Sequence, residues 1–458
     1  MKAQSAMIEK LLPACMSDDK VFTVKRAQCM QRTGMVRMGT VWLLVCAGIL
    51  YGGIFSSEKK TISRMHPPME IGYEKSEAFT RVNQIREALG MNTLESNALL
   101  AKAAQSHADY LVRNHVSTHT EIRGFPKFTG IFPADRVVHA GYYSRMVLEN
   151  LSTRNDDAES SVSGLFSAIY HRFAFLDVGI DQMGVGVAQE RSNTKNSAFV
   201  YEMGNSEIDH LCRMKAFSGS GKYVQGVCRN PKHRLPYKRF LKAKEGIQWL
   251  NPKIILYPYD GQEDVPPAFY AEVPDPLPDF EVSGFPVSVM FNEHFFSRIT
   301  LRSFRLYDQS GREVVHKRIL SKASDPNGRF NGLQFALFPL KRLAYDTQYR
   351  ARIVYVDKGT EKMKEWFFHT HKPEERLLRI TKEHAKVTLQ RGRSYQLYFV
   401  PKDGHDILSD VLFPDDIDIS FVDNNTLRVR VYDKKSRDFL IKSGTRSVDV
   451  HIVESTEK

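Results

Sequence analysis

Residues 81–111 read RVNQIREALGMNTLESNALLAKAAQSHADYL, and two helices are written in them. Phe79, Val82, Ile85 and Leu89 recur at near-helical spacing, and Gly90 follows where a helix can end. Asn97 then stands where its side chain can cap a second helix, with Leu100, Ala103, Ala104, His107, Ala108 and Leu111 on one face. A third helix is expected over about residues 158–170. Beyond it, MGVGVAQ (183–189) and AFVYEMG (198–204) alternate with period two, as paired strands do. Helices flanking a small sheet make an α/β/α sandwich over residues 70–208.

Working outward, a chain of 458 residues exceeds one core, and its length suggests about three domains. A hydrophobic share of 42% excludes a wholly disordered chain. The formal charge is +12, about half of it from the first 64 residues, where ten Lys/Arg face four Asp/Glu. The remaining +6 reads as spread over nearly 400 residues. A charge so spread argues against nucleic acid as a partner and fits at most a weak attraction to anionic lipid or glycan.

Residues 40–55, TVWLLVCAGILYGGIF, form an uncharged run flanked by Lys25, Arg26, Arg32 and Arg37 before and Glu58, Lys59 and Lys60 after. Sixteen residues rise about 24 Å as helix, short of the ~30 Å hydrocarbon core, so residues 1–60 carry a signal peptide or a marginal signal anchor. Either implies export, and an uncleaved segment would hold the protein to the membrane. The 39 residues ahead of the run are long for a signal; a start at Met35 would give a more usual one, and a cytoplasmic tail is the competing reading.

Three of the five cysteines, Cys15, Cys29 and Cys46, lie in or before that run. Cys212 and Cys228 enclose FSGSGKYVQG, a hairpin-like sequence with a Gly-rich turn. In an exported protein such a pair reads as a disulfide, with two free thiols as the alternative.

Five stretches in order, RVNQIREALGMNTLESNALLAKAAQSHADYL, THTE, AGYYSRMVLENLS, AIYHRF and MGVGVAQ, together resemble the bacterial branch of the CAP superfamily of cysteine-rich secretory, antigen five and pathogenesis-related proteins. The resemblance covers about 135 residues. It implies an α/β/α sandwich, an extracytoplasmic location (periplasmic, cell-surface or secreted), and a cleft lined in many members by two histidines and two acids. Carried over residue by residue, the cleft histidines fall on His119 and His171 and one acid on Glu149. The second acid has no counterpart, because Ala168 stands three residues before His171. Glu121 and Glu202 are the carboxylates that could substitute for it.

Two neutral imidazoles and a carboxylate would make a zinc site, or a site for another divalent cation, with an open position; the same groups could act as general acid and base. They could equally hydrogen-bond one another and fix the cleft wall. His107, on the apolar face of its helix, reads as a core imidazole. His115 stands four residues before His119, a spacing that shares a metal only if the helix continues through VST. Asn150 and Arg172 read as residues that pin loops.

Residues 209–250 read as the disulfide hairpin and a basic linker. From 251 to 372, prolines and short alternating strands such as FPVSVMFN, LQFALFPL and QYRARIVYVDKG give the pattern of a β-sandwich, with Trp366 as a core residue. This part resembles bacterial Ig-like domains. Five further alternating strands over 373–458 suffice for a small all-β module. The whole is an α+β multidomain chain. Its expected function is binding of an envelope ligand (lipid, peptide or glycan) at the His/Glu cleft, with a metal-assisted hydrolase as the alternative.

Overall fold

A computed structural model describes residues 59–61, 68–414, 417–431 and 438–454. The apolar run 40–55 and Cys15, Cys29 and Cys46 lie outside the described residues. Lys59–Thr61 (β1) pairs antiparallel with Leu412–Pro414, so the start of the described chain adds a strand to its last module.

Ile71–Ala88 (α1) is followed by Glu95–Ser96 (β2) and Ala98–Asn114 (α2). Asn97 caps α2 as expected, its side chain accepting from the amides of Leu99 and Leu100. Pro133–Ala140 (α3) begins on a proline with Asp135 in its first turn, a start signal that the sequence reading passed over. After Val147–Thr153 (β3), the expected third helix is two: Ala158–Ser167 (α4) and Ile169–Phe175 (α5), broken where Ala168 turns to an extended ψ of 113°. Gln182–Gln189 (β4) and Ser197–Gly204 (β5) complete a sheet of order β2-β4-β5-β3.

Alternation sorts the sheet's two faces. Phe199, Tyr201 and Met203 of β5 join the core under α1, α4 and α5, while Ala198 and Val200 pack under α2. The glycines of MGVGV have a specific reason. A Cβ on Gly184 would fall 2.0 Å from the Ala101 amide, and one on Gly186 2.2 Å from the Ala104 carbonyl carbon, so only glycine lets α2 lie against β4.

Ser206–Arg213 (α6), Tyr223–Val224 (β6), Leu235–Pro236 (β7) and Tyr237–Trp249 (α7) form a small appendage. Cys212 and Cys228 are bonded, with Cα atoms 5.3 Å apart. The hairpin expected between them is not formed. Cys212 ends a helix, and β6 pairs with β7, which lies beyond Cys228. Nor are residues 237–249 linker, since Phe240, Ala243 and Ile247 bury one face of a regular helix.

The β-sandwich consists of two four-stranded sheets. One is built from Ile254–Tyr257, Val287–Phe291, Gln334–Pro339 and His316–Leu320, the other from Gln262–Val265, Thr360–Thr370, Gln348–Asp357 and Thr300–Tyr307. Trp366 is buried between them and donates its indole N–H to the Pro258 carbonyl. The last module has a four-stranded and a five-stranded sheet around its own core. Arg342 binds it to the sandwich, giving both guanidinium ends to Asp423 between the rings of Tyr345 and Tyr398.

No such separation exists between the α/β/α unit and the sandwich, which share one apolar core. Phe166 packs against Tyr257 with ring centroids 5.4 Å apart, and Phe173 meets Phe330 at 5.1 Å. Arg172 crosses the seam. It is wholly buried, donates to the carbonyls of Phe166 and Pro286 and to the Ser288 hydroxyl, and lies over the rings of Tyr257 and Phe285.

Candidate functional site

β3 is an edge strand, and the candidate residues gather around it. Glu149 and Glu202 are register partners on β3 and β5, two carboxylates directly opposite each other, which would repel. Arg136, on the buried face of α3, lies against both: it donates to the Glu149 carboxylate, and its Nε is 4.0 Å from Glu202. A further N–H of Arg136 donates to the His119 carbonyl at 3.0 Å. Burial alone would raise the Glu149 carboxyl, but Arg136, His107 and the hydrogen bond from His119 outweigh it and hold the group well below the usual carboxylate range. In the same way, burial would lower Arg136, yet Glu149 and Glu202 raise it.

His119 Nδ1 donates to Glu149 at 2.8 Å, and the ring is 47% exposed while Glu149 is 1% exposed. His171, on α5, comes round the edge of β3, where Asn150 donates to its carbonyl. The two rings lie nearly parallel with centroids 6.3 Å apart. His119 and His171 thus stand side by side at the edge of β3.

The carboxylate beside His171 comes from the sandwich part of the chain. Glu272 accepts from His171 Nδ1 at 3.3 Å and, through its other oxygen, from the Ile169 amide at 2.9 Å. It thus caps the first turn of α5 at the break after Ala168 while orienting the imidazole. Glu121 and Glu202, the substitutes expected from the sequence, do not reach His171. Glu121 is buried on His107 (2.9 Å) and accepts from the amides of Thr129 and Gly130. Glu202 sits beneath Arg136. His107 is a core imidazole whose Nε2 donates to the Thr118 carbonyl. His115 ends α2 at a φ of 53° and faces Asn196 and Glu190, away from any site shared with His119.

A carboxylate can only accept, so each cleft imidazole carries its proton on Nδ1 when neutral and leaves Nε2 as a lone-pair acceptor. Both oxygens of Glu149 are committed, to His119 and to Arg136, and both of Glu272 to His171 and Ile169. Among the described residues no three His, Cys, Asp or Glu side chains converge as metal ligands. The donor set does not fit a divalent cation held by His119, Glu149 and His171 together. Glu149 is equally unsuited as a general base, because its proton affinity is suppressed and it is out of contact with solvent.

The ionisation of Glu149 ties stability to pH. Its folded-state pKa lies below the reference of 4.5, so the folded chain binds the proton less tightly than the unfolded one. The stabilisation is fully present above about pH 4.5 and is lost as pH falls toward the folded value. Melting curves from pH 7 to 3 should show the advantage of wild type over Glu149→Gln shrinking below about pH 4.5; a constant gap would contradict the ion pair.

Residues 79–203 match the sequence profile of the cysteine-rich secretory protein family, and the chain carries a CAP domain of that family there. Among solved structures, an extracellular protein containing an SCP domain from Bacillus anthracis is similar at 18% identity and a TM-score of 0.26, over 30% of this chain and 44% of that one. An outer surface protein from Borrelia burgdorferi is similar at 21% identity and a TM-score of 0.27, over 31% of this chain and 98% of the other. A cysteine-rich secretory protein from Staphylococcus aureus follows at 16% and 0.19, over 30% and 41%. The likeness spans less than half the length of the Bacillus and Staphylococcus proteins. No curated protein matches the chain.

Proposed function

We propose that the chain is an exported envelope protein whose CAP domain binds a glycan or peptide of the cell envelope through His119 and His171. The observation that carries this reading is the pair of imidazoles with both Nδ1 atoms tied to carboxylates and both carboxylates otherwise engaged. Such a pair is fixed in orientation and offers two Nε2 acceptors to hydroxyl or amide donors, which sugars and peptides carry in abundance. Hydrolysis finds less support. Among the described residues no hydroxyl or thiol hydrogen-bonds either ring, so no nucleophile is poised beside a base. Export is supported by the Cys212–Cys228 disulfide and by the apolar run near the amino terminus.

The test is co-sedimentation with isolated peptidoglycan sacculi in about 0.3 M salt, which suppresses unspecific charge attraction. Wild type should pellet, and His119→Ala with His171→Ala should bind roughly tenfold or more weakly, the loss of two hydrogen bonds at about 1 kcal/mol each. Equal pelleting of the variant, or none by wild type, would remove the cleft-centred reading. Release of soluble fragments that EDTA abolishes would put the hydrolase in its place.

A further inference from the structure

The net charge is not diffuse, as an even division along the chain suggests. Residues 210–244 hold ten Lys/Arg and no Asp or Glu, so these 35 residues carry +10, and the chain outside them and the first 64 residues is net negative. They are the appendage made of the end of α6, β6, β7 and most of α7, stapled by Cys212–Cys228. Of these ten cations only Arg213, on Asp209, and Lys244, on Glu293, are ion-paired among the described residues. A cluster of cations that solvates so little of its charge within the protein leaves a strong positive potential at the surface.

The fold gathers these charges at one end. The Phe217 amide donates to the Arg234 carbonyl at 2.9 Å, and the Tyr237 amide to the Lys222 carbonyl at 3.0 Å, drawing the 215–223 loop onto β7 and the start of α7. Helix α7 buries Phe240, Ala243 and Ile247 and so turns Lys238, Arg239 and Lys242 outward. Arg239 and Lys215 rim a hollow whose walls include Leu211, Met214 and Phe217. Apolar side chains stand exposed among the cations, Met214 at 41% and Tyr223 at 37%, with Arg234 over the Tyr223 ring at 4.5 Å.

We infer that this appendage is a docking face for the surface of an anionic phospholipid bilayer. The charge complementarity calls for a partner with many closely spaced negative groups. The exposed Met214 and Tyr223 select a bilayer over an acidic polysaccharide, since headgroups with acyl chains beneath them can receive both the cations and the apolar tips. The face is separate from the His119–His171 cleft, and the inference stands whatever the cleft binds.

The test is sedimentation of the full chain with vesicles of phosphatidylglycerol in phosphatidylcholine, against phosphatidylcholine alone so that any insertion of the apolar amino-terminal run is subtracted. Binding should rise with the phosphatidylglycerol fraction and fall steeply with salt. The triple variant Lys238→Gln, Arg239→Gln, Lys242→Gln should bind these vesicles on the order of a hundredfold more weakly. Its melting temperature and its sacculus binding in high salt should not change, because these side chains are exposed and unpaired among the described residues. The variant Met214→Ser, Tyr223→Ser should also weaken binding while keeping the salt dependence. Wild-type binding by the triple variant overturns the proposal. So does an unchanged Met214→Ser, Tyr223→Ser variant, which would make the appendage a face for soluble polyanions such as acidic glycans.

Discussion

Arg136→Met should destabilise the CAP domain by about 3–5 kcal/mol, the usual cost of removing one member of a buried charge network. The substitution keeps most of the side chain's bulk, so the loss measures charge. Glu149 would lose the guanidinium it accepts from, and Glu149 and Glu202 would face each other across β3 and β5 without the cation that lies against both. Hydrogen exchange in peptides covering 147–153 and 197–204 is the readout, since it reports the sheet locally in a chain of several units. Exchange should accelerate there far more than in the carboxy-terminal module. Adding Glu149→Gln should return part of the loss, because the stranded carboxylate is then neutral. If the double variant were less stable by the sum of the two single losses, Arg136 and Glu149 would not be acting as a pair.

The second large effect is expected at Arg172. Arg172→Met removes the donors that satisfy the Phe166 and Pro286 carbonyls, both buried at the seam, as well as the cation stacked on Tyr257 and Phe285. Leaving buried acceptors without donors costs about 1–3 kcal/mol each, and the total should reach about 3–5 kcal/mol. The prediction is specific about place. Exchange should rise together in 169–175 of the CAP domain and 285–291 of the sandwich. A rise on one side alone would show that Arg172 serves a single domain and does not join the two.

What the sequence disclosed and what it hid follow from the range of the interactions. Helix α2 was legible because burial of Leu100, Ala103, Ala104 and Leu111 repeats along one face and Asn97 caps it within three residues. The strands of the sandwich were legible for the same local reason, period two between turn residues. Cys212 and Cys228 were legible as a pair, but the topology between them was not, since β6 pairs with β7, which lies beyond Cys228. The break at Ala168 could not be read from LFSAIYHRF, because what stabilises it is Glu272, a hundred residues on in AEVPDP. The same distance hid the carboxylate beside His171. Arg136 was within reach: FPADRVV carries a proline and an aspartate where a helix begins, and an arginine beside its buried valine. Helix α7 was also within reach through Phe240, Ala243 and Ile247, but the prolines and cations ahead of it give the stretch the composition of a linker.

The seam between Phe166, Tyr257, Phe173 and Phe330 has a mechanical consequence. On the proposed reading, a ligand held between His119 and His171 pulls on α5. Here the pull on His171 passes through Glu272 and Arg172 into the sandwich, and from there through Arg342 and Asp423 into the last module. The covalent connection through residues 209–250 runs parallel to this path, so a proteolytic cut within it should leave the two units joined by their shared core.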